Sequence, residues 1–212
     1  MKINVGAYWG SRQESLDQCA ARLERYLSAL RSFPVLADWY LQGGSVRQAS
    51  GKTPITQFGD GILTELLRAG RNKYDTKPGV IENLGYRVGL WNRRGETESA
   101  SLLIGCGMYS TNPRLSNAVV LALPSNLETL STDTQSAIKR LLCVHVEAWN
   151  PDWSAVFASQ CDAIKNRKGN GPFLDKMLWL KSGTKAPEGL VTEQPVEQVL
   201  DGALYTSKTG RR

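Results

Sequence analysis

Histidine is nearly absent from this sequence: His145 is the only one in 212 residues. That excludes a metal site built from several imidazoles. A Ser/His/Asp or Cys/His centre would have to be assembled around this one ring, and nothing in the spacing requires it. Cysteine is scarce too. Cys19, Cys106, Cys143 and Cys161 lie far apart and form no CxxC pair, so zinc-type spacing is missing. Cys19 and Cys106 fall on apolar faces of their expected elements and read as core thiols, consistent with a reducing compartment. No apolar run approaches the ~20 residues that cross a bilayer. Met1 to Val5 opens no apolar run of roughly 7–15 residues, so no secretory leader is visible and a cytoplasmic location is expected. Internal repeats and low-complexity tracts are missing as well.

What is present is ordinary globular material. Hydrophobic residues make up 41% and charged residues 22%, enough to build a core within one domain over 1–212. Residues 183–212 are the hardest to assign. The formal charge is +6 and the pI about 9.2, which admits nucleic acid, an acidic protein or an anionic surface as partner. The charge is not blocked together. Its densest points are Lys165 to Lys168 and the trio Lys208, Arg211 and Arg212, which read as a solvated loop and a frayed tail.

Ile3, Val5, Ala7 and Trp9 alternate with polar or small residues, the period of a half-buried strand. After Gly10, Ser11 and Glu14 have capping-box spacing, and Leu16, Cys19, Ala20, Leu23, Leu27 and Leu30 follow at helical spacing. The pattern predicts a helix over about 12–32, closed by Pro34. Residues 36–41 form a short apolar segment of open type, and 42–61 a long loop. Ile62 to Leu67 predicts a short helix with Gly70 as its C-cap. Residues 86–91, 102–108 and 117–123 read as three strands in an antiparallel meander, the last apolar enough to be covered on both faces. Thr132 and Gln135 repeat the capping-box spacing before a helix carrying Ile138, Leu141, Leu142, His145 and Trp149 on one face; Pro151 limits it. Residues 153–158, 177–180 and 199–205 are three further strands. Strands and helices do not alternate strictly. The fold class is therefore α+β: an antiparallel or mixed sheet with helices packed mainly on one face.

The fragments that look chemical each have a plainer explanation. His145 and Glu147 are two apart on a helix and point away from each other. Pro151-Asp152 with Asp162 and Lys165 imitates a nuclease signature of paired carboxylates and a lysine, but the last two are one residue too far apart. Gly105 and Gly107 lie inside an expected strand, so they cradle no phosphate; they permit close approach of a covering helix or a partner backbone. Six tryptophans are present, most of them expected in the core. Trp39-Tyr40 and Trp91 with Arg93-Arg94 fall at element ends, where aromatic and arginine side chains can be exposed together. That pairing is typical of interface hot spots and also suits base stacking on single-stranded nucleic acid. Trp39, Tyr40, Trp91, Arg93 and Arg94 are accordingly the predicted partner-contact residues. No catalytic residue, metal ligand or cofactor site is expected.

A set of ordered landmarks points further. Tyr8-Trp9-Gly10 with Arg12 and Glu14-Ser15 comes first, then Trp39-Tyr40, then Gly85 with Trp91-Asn92. Asn117 with Leu121, Leu123 and Pro124 follows, then Trp149 with Pro151-Asp152. In this order and spacing, over about residues 2–182, the chain resembles the bacterial Immunity protein 52 family of polymorphic toxin systems. Leu178-Trp179-Leu180 lacks the glycine and tyrosine that the family often shows there. The resemblance implies a non-enzymatic α+β protein that protects its producer. Its partner would be a toxin, usually a nuclease with a restriction-endonuclease-like fold, often delivered by type VI secretion. The family has no established catalytic residues to carry over. The competing expectation is a basic nucleic-acid-binding module.

Overall fold

The computed structural model describes residues 2–42, 54–55, 61–165, 171–188, 190 and 196–207. Nine strands form one sheet: β1 (Ile3–Trp9), β2 (Tyr40–Leu41), β3 (Tyr86–Trp91), β4 (Ser101–Cys106), β5 (Asn117–Ala122), β6 (Trp153–Ala158), β7 (Met177–Lys181), β8 (Glu197–Val199) and β9 (Gly202–Thr206). Their spatial order is β2-β3-β4-β5-β1-β6-β7-β9-β8, and every pairing is antiparallel. The first strand thus lies in the middle of the sheet, between β5 and β6. The meander β3-β4-β5 is as predicted. The expected final strand over 199–205 is instead a hairpin, β8 and β9, with Leu200 at positive φ in its turn.

Three helices pack on one face: α1 (Leu16–Leu30), α2 (Ile62–Ala69) and α3 (Thr134–Trp149). α1 touches both of the others, α2 lies on β3, and α3 lies on β1 and β6. α1 is shorter than predicted because its cap is not Ser11. Ser15 accepts from the Gln18 backbone N–H while the Gln18 side chain accepts from the Ser15 N–H, a reciprocal box one turn later. Glu14, expected in the box, is engaged by two arginines described below. α3 likewise caps one residue on from the prediction, Asp133 accepting from the Ser136 N–H. α2 ends at Gly70 as expected, for a reason the sequence did not show. A Cβ there would lie 1.7 Å from the Arg87 carbonyl oxygen of β3. Only glycine lets the helix end come that close.

The two sheet faces have different fates. Toward the helices, Val5, Ala7 and Trp9 of β1 join Val88, Leu90, Leu102, Ile104, Val119 and Leu121 from the meander in the main core, under Leu23, Leu27, Leu30, Leu141 and Trp149. On the other face a second, smaller cluster has its buried strand residues on β6 and β7, with Tyr8 of β1, Val120 of β5 and Tyr205 of β9 packed against it. There Trp153, Ala155, Phe157, Leu178 and Leu180 pack beneath Phe173, with Trp153 and Phe157 each meeting its ring edge-on. β5 is not covered on both faces: its residues alternate between buried and half-buried, with Ala118, Val120 and Ala122 on the less covered side. The basic cluster expected at Lys165 to Lys168 and the trio Lys208, Arg211 and Arg212 lie outside the described residues or, for Lys165, outside the described side chains.

Candidate functional site

Several landmarks of the family resemblance, Tyr8 to Gly10, Arg12, Glu14, Asn117, Trp149 and Asp152, meet at one end of the central strands and make a structural junction, while Tyr40, Trp91-Asn92 and Leu123 lie at the other end. Gly10 N–H donates to Asp152 Oδ2 at 2.9 Å, and the Asp152 N–H donates to the Tyr8 carbonyl at 2.9 Å. Asn117 is buried and ties three segments together: Nδ2 donates to the carbonyls of Gly10 and Met108, and Oδ1 accepts from the Met108 N–H. Arg12 donates to the carbonyls of Trp149 and Asn150, and Arg22 to that of Ala148. These are orphan carbonyls at the C-terminus of α3, where positive charge is favoured. Glu14 holds both arginines, at 3.1 Å from Arg12 and 2.6 Å from Arg22. Asn150 itself takes a left-handed conformation, φ 47°, which ends the helix. Glu14 and Arg12, with Asp152 through Oδ2, thus help lock β1, α1, α3 and β6 together.

His145 is completely buried. Nδ1–H donates to the Leu141 carbonyl at 2.8 Å, and Nε2 accepts from the Tyr26 hydroxyl at 2.8 Å. Both bonds suit the neutral ring, and burial lowers its pKa from 6.5 to about 4. Burial also raises the Tyr26 hydroxyl well above its usual range. A neutral ring sealed in the core reaches no substrate, so the core reading of His145 holds. Cys19 and Cys106 are buried free thiols, and the structure brings them together: hydrogen bonding of the Cys106 thiol to Cys19, and then burial, raise the Cys106 pKa. Among the described residues, no cluster of three or more His, Cys, Asp or Glu could hold a metal ion.

Of the five predicted contact residues, three come together at the surface. Tyr40 and Trp91 are directly opposed on β2 and β3. Arg93, at φ 52°, turns its guanidinium back over both rings, 5.1 Å from the Tyr40 centroid and 5.8 Å from that of Trp91. Trp91 is 37% exposed. The Asn92 between them is buried and explains the turn: Nδ2 donates to the carbonyls of Val35 and Glu98, while Oδ1 accepts from the N–H groups of Arg94 and Ala100. Arg94 is exposed beside this corner. Trp39 does not belong to it. Its indole is completely buried and donates to the Leu36 carbonyl at 2.8 Å, so it packs the core and presents nothing to a partner. Strand alternation separates it from Tyr40: adjacent residues point to opposite faces.

The chain aligns structurally with the T6SS protein PA0821 of Pseudomonas aeruginosa at a TM-score of 0.51 and 8% identity, over 97% of this chain and 68% of that one. At that identity the likeness is one of fold. No curated protein matches the sequence. The family model described as Immunity protein 52 matches residues 2–205, and the chain belongs to that family. The match extends beyond residue 182, through the β8–β9 hairpin that the landmarks did not reach. No helix among the described residues is long and apolar enough to cross a membrane.

Proposed function

We propose that this chain is an immunity protein that binds a cognate toxin stoichiometrically in the cytoplasm and neutralises it. The toxin would be a nuclease effector of a polymorphic toxin system delivered by type VI secretion. Membership of the Immunity protein 52 family over nearly the whole chain is the observation that carries this reading. The likeness of fold to a T6SS protein supports the secretion context. Two of the titratable residues that looked catalytic, His145 and Asp152, are engaged in structure, which supports a binding role for the surface.

Charge shapes the mechanism. An inhibitor that imitates nucleic acid is acidic, whereas this chain carries +6. A basic surface instead complements the carboxylates with which a metal-dependent nuclease holds its ions. The Tyr40–Trp91–Arg93 corner, with Arg94 beside it, supplies aromatic anchors and positive charge together, the composition of an interface hot spot. Co-expression with the effector encoded beside this chain tests the proposal. The expected result is protection of the host cell and a complex of defined stoichiometry on gel filtration. No complex and no protection would sink it. If protection occurs but the isolated effector cuts neither DNA nor RNA, only the nuclease assignment falls.

A further inference from the structure

The β3-β4-β5 half of the outer sheet face carries few polar residues for a solvated face, Arg87 and Ser101 among its nine outward positions. Strand pairing places its outward residues in rows: Gly89, Leu103, Val120 and Gly6 in one, Arg87, Gly105, Ala118 and Tyr8 in the next, and Trp91, Ser101, Ala122 and Asn4 in a third. In the first row Gln42 lies over Gly89, the Tyr8 ring over Gly6, and Val120 packs on the second cluster, which leaves Leu103 open. Leu103 is 60% exposed although β4 is an interior strand, paired on both sides. Beside it a hollow of about 200 Å3 is lined by Arg87, Leu103, Gly105, Met108, Ala118 and Val120. Gly105 forms part of its floor. A Cβ built there would meet nothing closer than the Ala118 carbonyl at 3.7 Å, so neither conformation nor crowding demands glycine at this position. By contrast, Gly107 has φ 72° and faces the Tyr86 ring and Cys19, an internal reason for its identity. Beyond that lining, Tyr8 stands next to Ala118 in the register and stacks on Trp153 at 4.1 Å. On the other side the Tyr40–Trp91–Arg93 corner shares the same face.

We infer that this half-face is the docking surface for the effector, and that its occupant is a protein element with an apolar tip flanked by carboxylates. Charge selects that occupant. Strands β2 to β5 contain one charged residue, Arg87, and no acid. The flanking turns add Arg93, Arg94 and Arg114 against Glu96 and Glu98, so the rim with Arg87 is net positive. A second copy laid face to face would bring arginine against arginine. An acidic protein surface pairs with that rim while its apolar tip covers Leu103 and fills the space above Gly105. The inference rests on the immunity reading and adds to it where the toxin sits.

Two substitutions separate binding from folding. Leu103→Arg alters an already exposed side chain, and Gly105→Trp fills the hollow from a position with room for a side chain. Val196→Arg, at an exposed apolar position next to β8, serves as control. Affinity for the purified neighbouring effector is measured by calorimetry, with thermal melting of each variant alongside. The expected result is a loss of at least about tenfold in affinity for both face variants, with near-wild-type melting and no loss for the control. If wild type binds and both face variants bind equally well, the surface is wrong and the immunity reading stands. If wild type does not bind the effector, both fall. Loss of self-association in Leu103→Arg, or of single-stranded DNA binding, with effector affinity intact would give the face to another occupant and overturn the inference.

Discussion

Acid should weaken this fold through one identifiable ring. His145 is neutral in the native state, with a pKa of about 4 against 6.5 for a free ring. The folded value is depressed, so between these limits the unfolded chain binds the proton and the folded chain does not. The stabilisation is complete above about pH 6.5 and is lost as pH falls toward 4. At pH 5.5 the free ring is roughly 90% protonated and the buried one is almost entirely neutral, which costs about 1.4 kcal/mol relative to pH 7.5. With a denaturant slope of about 2 kcal/mol/M in urea, the midpoint should fall by about 0.7 M over those two pH units. The assignment is clean because the chain has no other histidine and carboxylates ordinarily titrate near about pH 4. His145→Gln supplies the control. Its side chain can still accept from Tyr26, and it should be less stable at both pH values but show no midpoint shift between them. A wild-type midpoint that does not move, or a variant midpoint that moves as far, would refute the argument.

Other perturbations follow from geometry. Arg12→Ala removes two donors from the C-terminus of α3 and one partner from Glu14; it should cost ~1.5–3 kcal/mol in urea unfolding, with the secondary structure retained by circular dichroism. Gly70→Ala and Gly105→Ala should diverge in thermal melts. The first drives a methyl into the Arg87 carbonyl and should cost more than about 3 kcal/mol, whereas the second should be neutral or stabilising by roughly 0.5 kcal/mol. Trp91→Ala should weaken effector binding by at least about 1 kcal/mol, because the ring is exposed and stacked under Arg93. Trp39→Ala should instead lower stability by ~3–5 kcal/mol, since it empties a core position.

Periodicity made most of the architecture readable before any coordinates. The strand over residues 3–9, the meander of β3 to β5 and the helical stripe from Leu16 to Leu30 all appear where hydrophobic spacing places them, but β1 is covered on both faces rather than half-buried because it lies in the middle of the sheet. Capping was misread because several residues of the right type competed. Ser11 and Glu14 have the spacing of a capping box, but Glu14 serves better between Arg12 and Arg22, and those partners depend on α3, more than a hundred residues away. The apolar run of β5 hid a one-sided strand, because small outward residues such as Ala118 and Ala122 read as buried whether or not anything covers them. At the aromatic–arginine corner, composition singled out Tyr40, Trp91 and Arg93 but could not separate Tyr40 from its buried neighbour Trp39. That distinction needs the β2–β3 register. The outer hollow had one trace in the sequence, a glycine at 105 with no turn to explain it.

The central place of β1 bears on when this protein becomes functional during its own synthesis. Its two partners, β5 and β6, begin at Asn117 and Trp153. At bacterial elongation rates, the roughly 110 residues between β1 and the end of β5 take on the order of 5–20 s to appear. Throughout that interval the apolar segment Ile3–Trp9 has left the ribosome without the strands that flank it. Pairings this distant in sequence also close slowly. A newly invaded cell would then depend on copies finished earlier, and a standing pool of this protein would protect better than rapid induction.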